Sequence, residues 1–182
     1  MNRVHTHFKH ISSYDLITKG NYTNSFQIPT LKTITINISS IHLANEKKNI
    51  IPFLLVLELI TGQKGKLTLS KKNKIHLKIK KGMVVGCKVK LNKHNSYEFL
   101  DTLTTVILPA QKDFKGYRIH SNSPHILSFS LQNILNFPEL VNEFLFFSTL
   151  PPLHITLQFN AQTLVDSNLL LTSLNFPINT AV

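Results

Sequence analysis

The chain of 182 residues has one cysteine, six glycines, nine acidic residues and no tryptophan. A single cysteine, Cys87, excludes an internal disulfide and a cysteine-based zinc site. No stretch approaches the roughly 20 apolar residues of a membrane span. The longest apolar run, 50–60, is interrupted by Pro52 and Glu58. The N-terminal MNRVHTHFKHISS lacks the apolar segment of a secretory signal. P-loop, dinucleotide-glycine and HExxH patterns are missing. The acids are scattered singly and offer no paired carboxylates for a metal-dependent nuclease. A thiol hydrolase would need an exposed, polarised Cys87 thiolate, whereas residue alternation puts Cys87 on the apolar side of its segment. His5, His7 and His10 have no further ligand at motif distance, so they read as a frayed, solvated terminus rather than a metal site. The sequence predicts a binding protein that is not an enzyme, with no cofactor and no metal.

What is abundant is lysine, in one place. Eleven lysines lie between Lys64 and Lys93, and no acid occurs between Glu58 and Glu98. The formal net charge is +11, so residues 62–93 hold the whole surplus and the remainder is balanced. Such lysines cannot pair internally, and a surplus this local suits a polyanion, nucleic acid first. They also alternate with apolar residues. Val85, Cys87, Val89 and Leu91 oppose Gly86, Lys88 and Lys90, and Ile75, Leu77 and Ile79 oppose His76, Lys78 and Lys80. Period-two alternation predicts strands with one buried and one wet face. With Gly82 as the turn, this reads as a basic hairpin on a globular body.

Other elements follow in order. Residues 7–18 are read as a short helix burying Phe8 and Ile11, with Tyr14 and Leu16 as further candidates, ending before Gly20. Residues 28–40 form a strand with Asn37 opposite the isoleucines. Residues 50–60, apolar nearly all round with Gly62 past the end, predict a buried core helix. Asn95 and Glu98 resemble a capping pair for a helix burying Phe99, Leu100, Leu103, Val106 and Ile107 up to Pro109. Asp113 reads as a loop anchor. Strands are predicted around Leu127/Phe129/Leu131 and Leu153/Ile155/Leu157/Phe159, and Thr163 with Asp166 opens a last helix through Leu164, Val165, Leu169 and Leu174. Phe144, Phe146 and Phe147 near Pro151-Pro152 read as loop packing on the core.

The segments ITGQK (60–64), KIKKGMVVGCKVKL (78–91), YEFLDTL (97–103), LPAQKDFKG (108–116) and FPE (137–139) resemble the large-subunit ribosomal protein five family, in its bacterial and organellar form. NYTNSFQIP (21–29) and ITIN (34–37) agree more weakly. The resemblance runs through residues 8–178 and implies an α+β fold: a single domain over 1–182, an antiparallel sheet with helices packed on one face, and a long basic hairpin loop. Its parts would be an N-terminal helix within 1–20, the hairpin at 62–93 and an apolar, near-neutral half at 116–182.

The resemblance further implies a structural constituent of the large subunit that binds 5S rRNA in the central protuberance and contacts P-site tRNA. Asn37 and Gln63 match the family's 5S-contact positions, and Lys64, Lys88, Lys90, Lys9 and Asn21 are assigned with them. Amides both donate and accept, which suits sugar hydroxyls and base edges. Lys71, Lys72, Asn73, Lys74, His76, Lys78, Lys80 and Lys81 match the loop that reaches tRNA, where lysine holds phosphate without reading sequence. The family's usual aromatic and threonine are here Leu77 and Lys90, and RIHSNSPHIL (118–127) replaces the Gly-rich loop that faces the small-subunit head. Implied partners are 5S and large-subunit rRNA, P-site tRNA, neighbouring proteins of the central protuberance and a small-subunit head protein. The excess of Lys, Asn, Ile and Phe, with AT-rich codons, suggests an AT-rich genome such as an organelle's. Joined to the resemblance, it gives the mitochondrial ribosome in the matrix as the expected place, with a plastid or an AT-rich bacterial cytoplasm as the alternatives. A free-standing RNA-binding module or RNA chaperone is the rival function.

Overall fold

The computed structural model describes residues 2–40, 50–112, 114–119, 123–147 and 150–179. The helical elements are α1 (Arg3–His7), α2 (Ser13–Lys19), α3 (Ile50–Thr61), α4 (His94–Thr102), α5 (Phe144–Phe147) and α6 (Leu164–Ser173). The strands are β1 (Leu31–Ser39), β2 (Lys66–Leu69), β3 (Val84–Asn92), β4 (Ile126–Leu131) and β5 (Leu153–Phe159). They form one five-stranded antiparallel sheet in the order β2-β3-β1-β5-β4. Alternate residues are buried along β1, β3, β4 and β5, including Ile34, Ile36, Ile38, Cys87, Val89, Leu91, Leu127, Phe129, Leu131 and Leu153 through Phe159 at every second position. That one-sided burial is the α+β arrangement expected of an antiparallel sheet with a single packed face. The residues group into two compact units, one of Met1–Ile34, Leu91–Phe129 and Thr156–Val182, the other of Thr35–Lys90 and Ser130–Ile155.

In the first unit, α1 and α2 are joined by a π-helical turn, Phe8–Ser12. The N-terminus is not frayed over the described residues. The Asn2 side chain accepts the Val4 N–H at 3.0 Å, Arg3 pairs with Asp101 at 2.7 Å, and the His5 ring lies 5.0 Å from that of Tyr97. Burial lowers the His5 pKa, with Lys9 and His94 adding charge repulsion in the same direction. The buried stripe is Phe8, Ser12 and Leu16, whereas Ile11 and Tyr14 are exposed. An i, i+4, i+8 ladder forms one helical face, and the Ser12 hydroxyl is buried without penalty because it donates to the Ser173 carbonyl at 3.1 Å.

The Asn95–Glu98 capping pair is also replaced. Helix α4 starts two residues earlier, at His94, after Lys93 with φ 51° and no side-chain cap, and Glu98 is exposed. Phe99, Leu100, Leu103 and Ile107 are buried, but Val106 is exposed. Asp113 lies outside the described residues.

Helix α6 does open on Thr163, whose hydroxyl accepts from the Asp166 N–H while Asp166 accepts from the Thr163 N–H. Its inward residues are Ser167, Leu170, Leu171 and Leu174, not Val165. Asp166 also accepts from the Tyr22 hydroxyl at 2.8 Å. Burial and that bond push the Tyr22 pKa up to about 12, so the phenol stays a donor at neutral pH. Asp166→Ala removes both contacts and is expected to cost about 2 kcal/mol, read as a lower urea midpoint at unchanged slope.

In the second unit, α3 ends as the sequence predicts. Gly62 has φ 63° and its N–H donates to the Glu58 carbonyl at 2.8 Å. The helix is not buried all round: Phe53, Val56 and Leu57 pack inward while Ile51, Leu55 and Leu59 are exposed. Phe147 packs inward, but Phe146 does not, which corrects the reading of that aromatic cluster.

Candidate nucleic-acid interface

The basic hairpin exists, with a different first arm. Strand β2 pairs antiparallel with β3 in the register Lys66–Lys88, Leu67–Cys87 and Thr68–Gly86. Residues 75–79 are not a strand; Ile75–Leu77 form a 3-10 turn with Ile75 fully in solvent, and only Ile79 reaches the core. The alternation of 75–79 and of 66–69 is equally good by eye. What separates them is chain reversal, because the loop closes on Ser70 and Met83. The Ser70 N–H donates to the Met83 carbonyl at 2.8 Å and the Gly82 N–H returns to the Ser70 carbonyl at 2.9 Å. Gly82, expected from sequence as the turn, takes the left-handed φ of 86° where the loop rejoins β3.

Cross-strand partners in an antiparallel pair point to the same face, so Lys66 stands beside Lys88. On the other side of β3, the Ser40 N–H donates to the Val85 carbonyl at 3.1 Å, and Gly86 lies against Ser39. Continuing that antiparallel register puts Asn37 opposite Lys88, and Thr35 opposite Lys90. The outward face of this unit therefore carries a row Lys66–Lys88–Asn37 with Lys90 next to it. The three lysines are exposed and Asn37 is half-buried. Gly86 is required here because a Cβ would overlap the Ile38 carbonyl oxygen. Gln63, half-buried, sits on the turn after α3 with its N–H donating to the Thr61 hydroxyl at 3.3 Å, and exposed Lys64 follows it towards β2. Lys66 and Thr68, absent from the sequence assignment, share this face. Their signal was the Lys-Leu-Thr-Leu alternation of 66–69. Lys9 and Asn21 are exposed residues of the other unit.

The loop 70–83 is built, not loose. Lys74 and Ile79 exchange N–H to carbonyl bonds at 2.8 and 3.1 Å, Lys78 takes the left-handed conformation, and the Asn73 Oδ1 accepts the Lys81 N–H at 2.6 Å. Asn73 thus shapes the loop. Around it Lys71, Lys72, Lys74, His76, Lys78, Lys80 and Lys81 are all exposed. Among the described residues the one salt bridge is Arg3 to Asp101, so no described carboxylate neutralises this arm. A dense cationic loop held in shape by its own backbone can engage phosphate without first ordering itself.

The other face of the hairpin is buried along β3 but not along β2, where Leu67 and Leu69 are exposed. Cys87 is fully buried, and burial raises its pKa from 9.0 to about 11. A protonated, buried thiol is a packing group. Ellman's reagent at pH 8 is expected to leave Cys87 unmodified in the folded chain and to label it fully in urea. The folded thiol holds its proton longer than the unfolded one, so stability falls as pH rises from about 9 towards 11. No three His, Cys, Asp or Glu side chains among the described residues are grouped to hold a metal, and no described helix is long and apolar enough to cross a membrane.

Residues 84–178 match the family model for the C-terminal part of the ribosomal L5 proteins. The chain is 37% identical over 180 residues to the large ribosomal subunit protein uL5m of Reclinomonas americana, covering 98% of this chain and 99% of that one. It is 32% identical over 182 residues to the large ribosomal subunit protein uL5 of Nitrosomonas eutropha, covering 97% and 98%. With the large ribosomal subunit protein uL5 of Wolbachia pipientis it shares 38% identity over 123 residues, 67% of this chain and 69% of the other. The matches span both halves of the hairpin and the helices and strands around it, and on them the chain belongs to the ribosomal L5 family, the structural and non-enzymatic proteins of the large ribosomal subunit.

Proposed function

We propose that the outward face of β1, β2 and β3 binds 5S rRNA and that the loop 70–83 reaches P-site tRNA, within the central protuberance of a mitochondrial large subunit. The observation that carries this reading is the row Lys66–Lys88–Asn37 on a wet sheet face, continuous in sequence with an acid-free lysine loop. The lysines hold backbone phosphate, while the amides of Asn37 and Gln63 meet sugar hydroxyls and base edges. Lys64 and Lys90 extend the phosphate contacts, and Lys9 and Asn21, exposed on the first unit, are proposed as 5S contacts of their own. Asn73 keeps the tRNA loop in shape while Lys71, Lys72, Lys74, His76, Lys78, Lys80 and Lys81 supply its charge. The mitochondrial protein among the relatives supports the compartment. Neighbouring proteins and the small-subunit head complete the proposed surroundings.

The two surfaces separate experimentally. Asn37→Ala is expected to weaken binding to isolated 5S rRNA about tenfold, the worth of one or two lost hydrogen bonds, and to leave the salt slope unchanged. Lys71→Gln with Lys72→Gln is expected to leave 5S binding within about twofold and to weaken retention of P-site tRNA on the assembled particle. Loss of 5S binding in the loop variant, with none in Asn37→Ala, would reverse the two assignments.

A further inference from the structure

The second unit has another surface, of opposite character to the lysine face. On α3, Ile51, Leu55 and Leu59 are 57, 42 and 47% exposed. Spaced i, i+4, i+8, they form one stripe on the side away from the buried Phe53, Val56 and Leu57. Helix α3 touches both the 3-10 segment Pro138–Glu143 and α5. On these neighbouring elements Val141 and Phe146 are 57 and 59% exposed. Apolar side chains gathered on adjoining elements mark an interaction site, unlike the scattered singles of an ordinary surface.

Charge decides what the occupant is. Glu58 lies within the α3 stripe, and Glu139 and Glu143 are exposed on the 3-10 segment. Three of the chain's nine acids thus accompany this surface, and neither 50–61 nor 134–147 contains a lysine or arginine. On a protein of net charge +11 that separation is pronounced. Carboxylates repel RNA phosphate and anionic lipid alike, and apolar side chains gain nothing from a phosphate backbone. A protein segment with apolar residues on one side and lysine or arginine on its flanks satisfies both features at once. We propose that the outer side of α3, with Val141 and Phe146, seats a basic amphipathic segment of a neighbouring large-subunit protein. This rests on family membership alone and stands or falls independently of the RNA assignments.

Zero-length coupling tests it on the unaltered particle. A water-soluble carbodiimide joins a carboxylate to an amine already in ion-pair contact; an amide forms and the water lost appears in the urea by-product. In intact large subunits, Glu58, Glu139 or Glu143 should be recovered by mass spectrometry as amides to lysines of another protein. In subunits carrying Glu58→Lys with Leu55→Gln, that protein's content after a moderate salt wash should fall about tenfold, with 5S rRNA retained. Amides to Lys64–Lys93 of a second copy, ultraviolet adducts of Phe146 to RNA, or an unchanged protein complement in the variant, with or without coupled carboxylates, would each overturn the proposal.

Discussion

Replacing Lys66, Lys88 and Lys90 together with glutamine is expected to lower affinity for 5S rRNA about a hundredfold near 0.15 M salt, while the fold survives. The size follows from counterion release. Each phosphate neutralised by a lysine contributes about 0.7–0.9 to the slope of log affinity against log salt. At that ionic strength three contacts correspond to about two log units. The slope should therefore flatten by about 2–3, a signature that loss of a base or sugar contact does not produce. All three side chains are exposed, with no carboxylate partner among the described residues, so their removal leaves no described buried group unsatisfied. A filter-binding titration at several salt concentrations reads affinity and slope together. An unchanged slope would move the RNA off this sheet face.

Gly86→Ala is expected to be the most destabilising small substitution in the hairpin, at about 3 kcal/mol. The added methyl would overlap the Ile38 carbonyl oxygen and come within 2.9 Å of the Ser39 Cα. Both are backbone, so no side chain can swing away. Strand β3 lies between β2 and β1, and separating it from β1 breaks the 3.1 Å bond from the Ser40 N–H to the Val85 carbonyl. It also displaces Asn37 from Lys88, so RNA affinity should fall with stability. Gly82→Ala is the control. Gly82 has open space around it, and its cost is the left-handed backbone alone, about 1 kcal/mol. Urea midpoints of the two variants compare the terms directly; equal costs would show that close strand approach is not what position 86 demands.

The amide positions follow the same logic on a smaller scale. Asn37 is half-buried on the lysine face, and its carboxamide can both donate and accept there. Asn73 has the same side chain and a different duty, since its oxygen is already taken by the Lys81 N–H. Residue type alone does not distinguish them. Backbone surroundings do.

Period-two alternation, the Thr163–Asp166 helix start, Gly62 past the end of a helix, Gly82 at a turn, and the lysine surplus of 62–93 were all legible from sequence because each is a local property. A residue's neighbours along the chain determine its backbone preference, its face and its charge density, and β1, β3, β4, β5 and α6 followed. Three features required the tertiary structure. Whether 66–69 or 75–79 pairs with β3 depends on where the loop closes, a contact between Ser70 and Met83 that neither segment encodes by itself. Which side of the apolar α3 is buried depends on what packs there, so Leu57 is inside and Leu55 outside although their side chains are identical. Asn37 comes beside Lys88 only through a strand register joining residues far apart in the chain. Local pattern supplied the parts and their polarity; long-range pairing decided which cations stand together and which apolar side chains remain for a partner.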